Sequence, residues 1–121
     1  FETIDSALPS ADWVILMCPL TPKTRGLINA RRLSLLPPGA GLVNVARGEV
    51  VVEKDLIEAL QNGSLGSAYL DVFEHEPLSQ ASPLWNLPNV ILTPHSAGFS
   101  AGNELRVSHM FLDNLATWAF E

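Results

Sequence analysis

Basic residues are scarce in this sequence. Seven Lys and Arg stand against thirteen Asp and Glu in 121 residues, a net charge of −6 at neutral pH. A deficit of that sign removes the positive footprint by which proteins hold nucleic acid or an anionic membrane surface, so neither is expected as a partner. Cysteine is nearly absent. Cys18, the only one, cannot pair within the chain, which suits a reducing, cytoplasmic setting. No apolar run approaches the roughly twenty residues of a membrane span, and no basic start precedes a short apolar stretch, so a soluble, non-secreted protein is expected. The Asn62-Gly63-Ser64 sequon therefore reads better as the end of a helix than as a glycosylation site. Repeats and low-complexity segments are missing, and so is the G-x-G-x-x-G turn of dinucleotide-binding folds. Gly39-Ala40-Gly41 resembles the opening of that turn, but it precedes its strand and lacks a third glycine before a helix. It reads as an ordinary turn.

What is present is a hydrophobic fraction of 47%. That suits one compact domain, which hides roughly two thirds of its unfolded surface without a disulfide or metal staple. No metal is expected. Short apolar runs alternate with helical patterns. Asp12–Cys18, DWVILMC, is continuous and β-rich at its centre, as a strand covered on both faces should be. Pro19, Pro22 and Gly26 punctuate the loop after it. Asn29 can cap a short helix running to Leu36, where Pro37 and Pro38 stop it. The run AGLVNV, residues 40–45, reads as a second buried strand. Glu53–Gln61 places Leu56, Ile57 and Leu60 on one helical face, with Asn62 and Gly63 as the stop. Ser67–Val72 and Asn89–Leu92 read as the third and fourth strands. A final helix begins near Glu104, with Leu105, His109, Leu112 and Leu115 in one stripe.

Strands separated by helices of this length imply crossovers and a parallel sheet, hence a Rossmann-like, doubly wound α/β fold. Ligands of such sheets sit beyond the carboxyl ends of the strands. The residues there are Cys18 and Pro19, Ala46 and Arg47, Asp71 to Glu76, and Thr93 to His95. The coincidence of Arg, Glu and His at that edge is the main functional signal. For Arg47, which closes an apolar run in NVARGEVV, two readings are open: a surface ion pair with Glu49, or a planar guanidinium placed to grip a carboxylate. His95 reads either as a capping histidine or as a proton donor. Asp71 reads either as a turn cap or as a ligand acceptor.

The segments PLTPKTRGLIN, LVNVARGEVV, ALQNGSLGSAYLDVFEHEPL and PLWNLPNVILTPHSAG together resemble the D-isomer-specific 2-hydroxyacid dehydrogenases, in order and spacing, from about Ala11 to Gly98. The resemblance implies that residues 1–98 are the second half of a dinucleotide-binding domain and that 99–121 begin a helix returning to a substrate domain. The glycine-rich turn, the acidic residue that reads the ribose and most of the substrate domain would then lie upstream. FETIDSALPSADW leads into a strand with no earlier strand to join, which fits that expectation. The implied reaction moves a hydride between NAD or NADP and a small 2-oxo acid, glyoxylate or hydroxypyruvate first among them, in an enzyme that is a homodimer when complete.

Such a reaction needs a cation for the substrate carboxylate, an acid for the ketone oxygen and a bound nicotinamide. By the motif N-x-A-R-G, Arg47 is the cation. His95, in TPHSAG, gives the proton to oxygen as hydride reaches carbon. The pattern D-V-F-x-x-E-P selects Glu76, rather than Glu74, as the carboxylate that orients the ring and favours its charged form. Asp71 would accept from the nicotinamide carboxamide. Cys18 and Pro19 would line the adenosine side by their backbone. Val45, Ala46, Ser96, Ala97 and Gly98, with Arg47 and His95, would line the nicotinamide side. His75 and His109 have no such support. Two departures from the family pattern stand out. Glu53 takes the place of a better-capping Asp before its helix, and Ser96-Ala97-Gly98 is more polar than the usual continuation after the histidine. Two other readings share the motifs: a formate-dehydrogenase-like enzyme, whose chemistry needs no proton shuttle, and a nucleotide-sensing co-repressor.

Overall fold

Each apolar run is short, and most are followed by a segment long enough to carry the chain back to the start of the next strand, the condition for parallel pairing. The computed structural model, which describes residues 2–120, has that arrangement. Strands β1 (Trp13–Leu16), β2 (Gly41–Asn44), β3 (Ser67–Leu70) and β4 (Val90–Leu92) form one parallel sheet in sequence order. Helix α1 (Glu2–Ala7) precedes β1, α2 (Ala30–Leu33) and α3 (Glu53–Gln61) make the first two crossovers, and α4 (Asn103–Phe120) follows β4. Between β3 and β4 the only regular element is a 3₁₀ turn at Pro83–Asn86. The α/β fold expected from the sequence is thus present, in elements shorter than the apolar runs that encode them. Helix α2 stops at Leu33 rather than Leu36, because the turn before Pro37 tightens into i to i+3 bonds from Leu35 and Leu36.

The register gives the sheet two unlike faces. Val14, Leu42, Ala68 and Val90 align across it, as do Leu16, Asn44, Leu70 and Leu92, and these rows pack with Leu33, Leu56, Leu60 and Val50 into the core. The alternate row is Ile15, Val43, Tyr69 and Ile91. Here the expectation of strands covered on both faces is not met: Ile15 is 57% and Ile91 63% exposed, and none of the described elements lies over them. A continuous apolar run looks the same whether its second face is covered by its own chain or by another segment. The stripe expected on α4 is also uncovered, with Leu105, Leu112 and Leu115 all exposed.

Caps arrive from distant chain. The N-cap of α3 is Val52, which offers no side-chain acceptor; instead Glu74 Oε1 accepts from Glu53 N–H at 3.0 Å, and Glu53 Oε2 accepts from Glu74 N–H at 3.2 Å. Glu53, expected to stand before the helix as a weak cap, is instead its first residue, and Glu74 supplies the acceptor that Val52 lacks. Asn29 caps α2 through Arg32 N–H, as its sequence position suggests, and Asp55 accepts from Ala30 N–H at 2.8 Å. Asn62 and Gly63 end α3, Gly63 at φ +76°, and Gly39 makes a left-handed turn before β2.

Candidate active site

Because all four strands run the same way, their carboxyl ends meet along one edge, and every residue singled out from the sequence follows one of them. Two buried polar side chains organise that edge. Asn44 ends β2 at 1% exposure. Its Oδ1 accepts from Ala46 N–H at 3.1 Å, and its Nδ2 donates to Arg47 O at 3.1 Å. The chain then turns through a short 3₁₀ segment, Gly48–Val50. A Cβ at Gly48 would sit 1.9 Å from the Phe73 carbonyl carbon, so only glycine lets this turn lie against the loop after β3. That contact is the physical reason for the Arg-Gly pair in the sequence: one residue carries the charge and the next permits the loops to touch.

Arg47 itself is exposed, and its Nη1 donates to Ala46 O at 2.6 Å. Among the described residues it has no ion pair. Glu49, its expected alternative partner, faces Arg25 instead, at 3.6 Å. The rest of the guanidinium fork is left for an acceptor from outside.

The second organiser is Asp71, also 1% exposed. Its Oδ1 accepts from the Thr93 hydroxyl and from Ser96 N–H at 2.8 Å, its Oδ2 from Ala97 N–H at 2.9 Å, and its main-chain oxygen from His95 N–H at 2.8 Å. Burial works against its charge, but the bonds from Thr93, Ala97 and Ser96, with His95 nearby, outweigh that and hold the carboxyl below the ordinary carboxylate range. Of about four acceptor positions on a carboxylate, one remains, on Oδ2.

The loop so gripped holds His95 at φ +53°. A left-handed backbone at a non-glycine residue costs about 1–3 kcal/mol and persists only where surrounding bonds over-determine it. It turns the ring toward Glu76, whose Oε2 lies 2.8 Å from His95 Nδ1 while Oε1 accepts from Phe73 N–H at 3.0 Å. Partial burial raises the Glu76 carboxyl, but His95, the Phe73 N–H and the Arg47 charge together lower it. An ionised carboxylate has no proton to give, so Nδ1–H donates, and Nε2 is the ring nitrogen left to exchange a proton with a ligand. An apolar cavity of about 380 Å³ opens beside the pair, walled by Phe73, Leu78, Trp85 and Leu92.

The geometry thus joins a cation without an ion pair among the described residues, a carboxylate–imidazole pair and a buried carboxylate with one open acceptor position. Residues 1–97 match the profile described as the D-isomer specific 2-hydroxyacid dehydrogenase, NAD binding domain. The chain belongs to that family. It is 46% identical over 114 residues to a glyoxylate/hydroxypyruvate reductase B of Salmonella paratyphi B, covering 93% of this chain and 35% of that protein. Among solved structures, a dehydrogenase of this family from Xanthobacter autotrophicus Py2, in complex with NADPH and MES, superposes with a TM-score of 0.80 at 52% identity, over 83% of this chain and 32% of that one. An NADPH-dependent glyoxylate/hydroxypyruvate reductase from Sinorhizobium meliloti, in complex with NADP and sulfate, gives 0.86 at 38% identity, over 96% and 39%. The chain therefore spans about a third of the length of the relatives it matches.

Within this chain, Glu74 and Glu76 are separated by structure: Glu74 caps α3 and Glu76 meets His95. Cys18 and Pro19 follow β1, half-buried and exposed respectively, and Pro19 O accepts from the Thr24 hydroxyl at 2.7 Å. Val45 and Ala46 lie in the Asn44 turn, and Ser96, Ala97 and Gly98 in the Asp71 turn. Asn44 and Tyr69 lie outside the residues the sequence points to, and Thr93 enters there only through its place at the carboxyl edge, with no role. Asn44 carries a visible signal, a polar side chain inside an apolar strand. Tyr69 carries none, since tyrosine is an ordinary strand residue.

Proposed function

We propose that this chain supplies the nicotinamide and substrate side of an oxidoreductase that moves a hydride between NAD or NADP and a small 2-oxo acid, giving a D-2-hydroxy acid of the glyoxylate and hydroxypyruvate class. The observation that carries the reading is the 2.8 Å Glu76–His95 pair standing on the same edge as Arg47, whose guanidinium is tied only to Ala46 O and has no ion pair among the described residues. In this reading Arg47 binds the oxo-acid carboxylate by two parallel hydrogen bonds and so fixes which face of the carbonyl is presented. His95 Nε2 gives a proton to the ketone oxygen and takes it back in the reverse direction, with Glu76 holding the ring. The residues fit the nicotinamide end of a nucleotide: the open position on Asp71 Oδ2 suits an amide N–H, and Val45, Ala46, Ser96, Ala97 and Gly98 form the turns around it. Cys18 and Pro19 take the adenosine side. When bound, the reduced nicotinamide supplies the hydride. A proton-handling pair is of no use in formate oxidation, which speaks for a 2-oxo acid.

Residues 1–98 would be the second half of the nucleotide domain and 99–121 a helix returning to the substrate domain, in a cytoplasmic homodimer. No glycine-rich phosphate turn occurs in the 121 residues, so the chain by itself should bind NADPH or NADH weakly and turn nothing over. Grafted in place of the matching segment of the Salmonella reductase, it should restore reduction of glyoxylate with NADH or NADPH. A well-folded graft that binds nucleotide yet reduces no 2-oxo acid would overturn the reading in favour of a nucleotide-sensing protein.

A further inference from the structure

His95 owes its left-handed backbone to Asp71, and Asp71 is itself steered by a second pair of side chains. Three consecutive N–H groups, from His95, Ser96 and Ala97, converge on Asp71, the first on its main-chain oxygen and the others on its carboxylate. The Ser96 and Ala97 N–H groups close on it only if the carboxylate holds one rotation. Thr93 Oγ1 donates to Oδ1 and fixes that rotation. Thr93 has a single hydroxyl hydrogen, and the ionised carboxylate has none to offer. The contact of 3.1 Å between Thr93 Oγ1 and Tyr69 Oη must therefore run with the tyrosine donating. The direction is forced along the whole chain: Tyr69 O–H to Thr93 Oγ1, Thr93 O–H to Asp71 Oδ1, and Asp71 oxygens receiving the loop that carries His95.

The sheet puts these groups in line. Tyr69 and Asp71 are two apart in and just after β3, so they share a face; Tyr69 pairs in register with Ile91, and Thr93 follows two residues on. The relay lies on the uncovered face and ends at the carboxyl edge. Threonine suits the middle position, because its branched Cβ restricts χ1 and its hydroxyl can donate and accept at once.

From this geometry we infer that Thr93, with Tyr69 behind it, is a positioning residue for His95, acting through Asp71 to hold the imidazole against Glu76. Its bearing on catalysis rests on the reductase reading above; the positioning itself does not. The test is nuclear magnetic resonance on the full chain near neutral pH, comparing wild type with Thr93→Val, Thr93→Ser and Tyr69→Phe. Wild type should show a slowly exchanging Nδ1–H ring proton on His95 and protected amides at Ser96 and Ala97. Thr93→Val keeps the shape and removes the hydroxyl. It should lose the ring-proton signal and raise amide exchange at Ser96 and Ala97 about tenfold, the order expected for one lost hydrogen bond, while core methyls such as Leu42 keep their shifts. Thr93→Ser should restore both signals, and Tyr69→Phe should show the same changes in weaker form.

A Thr93→Val chain with the wild-type ring proton and amide protection would overturn the relay, as would a Thr93→Ser chain no better than the valine. If the valine variant does not fold, Tyr69→Phe carries the test, since it deletes one hydroxyl at a half-exposed site; wild-type spectra there overturn the assigned direction. These spectra need no turnover. A relay seen in a chain whose graft reduces no oxo acid would reject the reductase and leave the positioning intact.

Discussion

The loop after β2 and the loop after β4 solve one problem with opposite electrostatics. Each must hold a charged side chain at the sheet edge on a short, irregular backbone. Each does so with a buried polar residue at a strand end, Asn44 or Asp71, whose side chain folds back onto loop backbone. Under Arg47, whose charge is permanent, the cradle is a neutral amide. Below His95, which must gain and lose a proton, the cradle is an anion. A carboxylate at Asn44 would have no hydrogen to donate to the Arg47 carbonyl and would leave that oxygen without its partner. An amide under the histidine loop could not receive the Thr93 hydroxyl and both Ser96 and Ala97 N–H groups, because half of it is a donor. The two strand ends also touch, through Asp71 N–H to Asn44 O at 3.0 Å.

The largest expected effect removes the titrating partner. In the grafted enzyme, His95→Ala should lower kcat/KM about 100-fold to 10,000-fold, the usual weight of a positioned acid–base group. A change within threefold would take His95 out of the chemistry. Next comes Arg47→Lys, which keeps the charge but loses the two-pronged grip. It should weaken transition-state binding by about 2–4 kcal/mol, or about 30-fold to 1,000-fold in kcat/KM. Unchanged kcat/KM would mean that the fork is not used.

The smallest effect separates the cradles themselves, and it is read as stability rather than rate. Asn44→Leu leaves the buried Ala46 N–H without its acceptor and should cost about 1–3 kcal/mol by urea unfolding, by a similar amount at pH 7 and pH 3. Asp71→Asn should behave differently. A folded-state carboxyl lowered below its ordinary value adds stability that is present above that ordinary value and is lost as pH falls through the lowered one, here from about pH 4 downward. Wild type should therefore weaken over that range, and Asp71→Asn should flatten its share of the loss. Glu76, lowered as well, leaves a remainder in the same window. Parallel pH curves for wild type and Asp71→Asn would contradict the anionic cradle.

Much of this was legible along the chain. Short apolar runs, proline and glycine breaks and one amphipathic helix were enough to predict four parallel strands, because parallel pairing follows from strand and crossover lengths. The edge residues followed from that topology, and the choice of Glu76 over Glu74 came from motif resemblance. The structure adds why: the two carboxylates alternate in direction, one to the α3 N-terminus and one to His95.

Residue order by itself determined the kind of chemistry offered at the sheet edge, since charge, donor inventory and strand polarity are local properties. Tertiary structure alone decided three further things. It left Arg47 without an ion pair among the described residues, because Glu49 turns to Arg25, and distances between side chains on different loops are not encoded in spacing. It set His95 at a positive φ, which no propensity of histidine predicts and which only the converging bonds to Asp71 sustain. It also left Ile15, Ile91 and Trp13 uncovered on one face of the sheet, because an apolar strand specifies that it can be buried, whereas the segments packed around it specify on which sides it is.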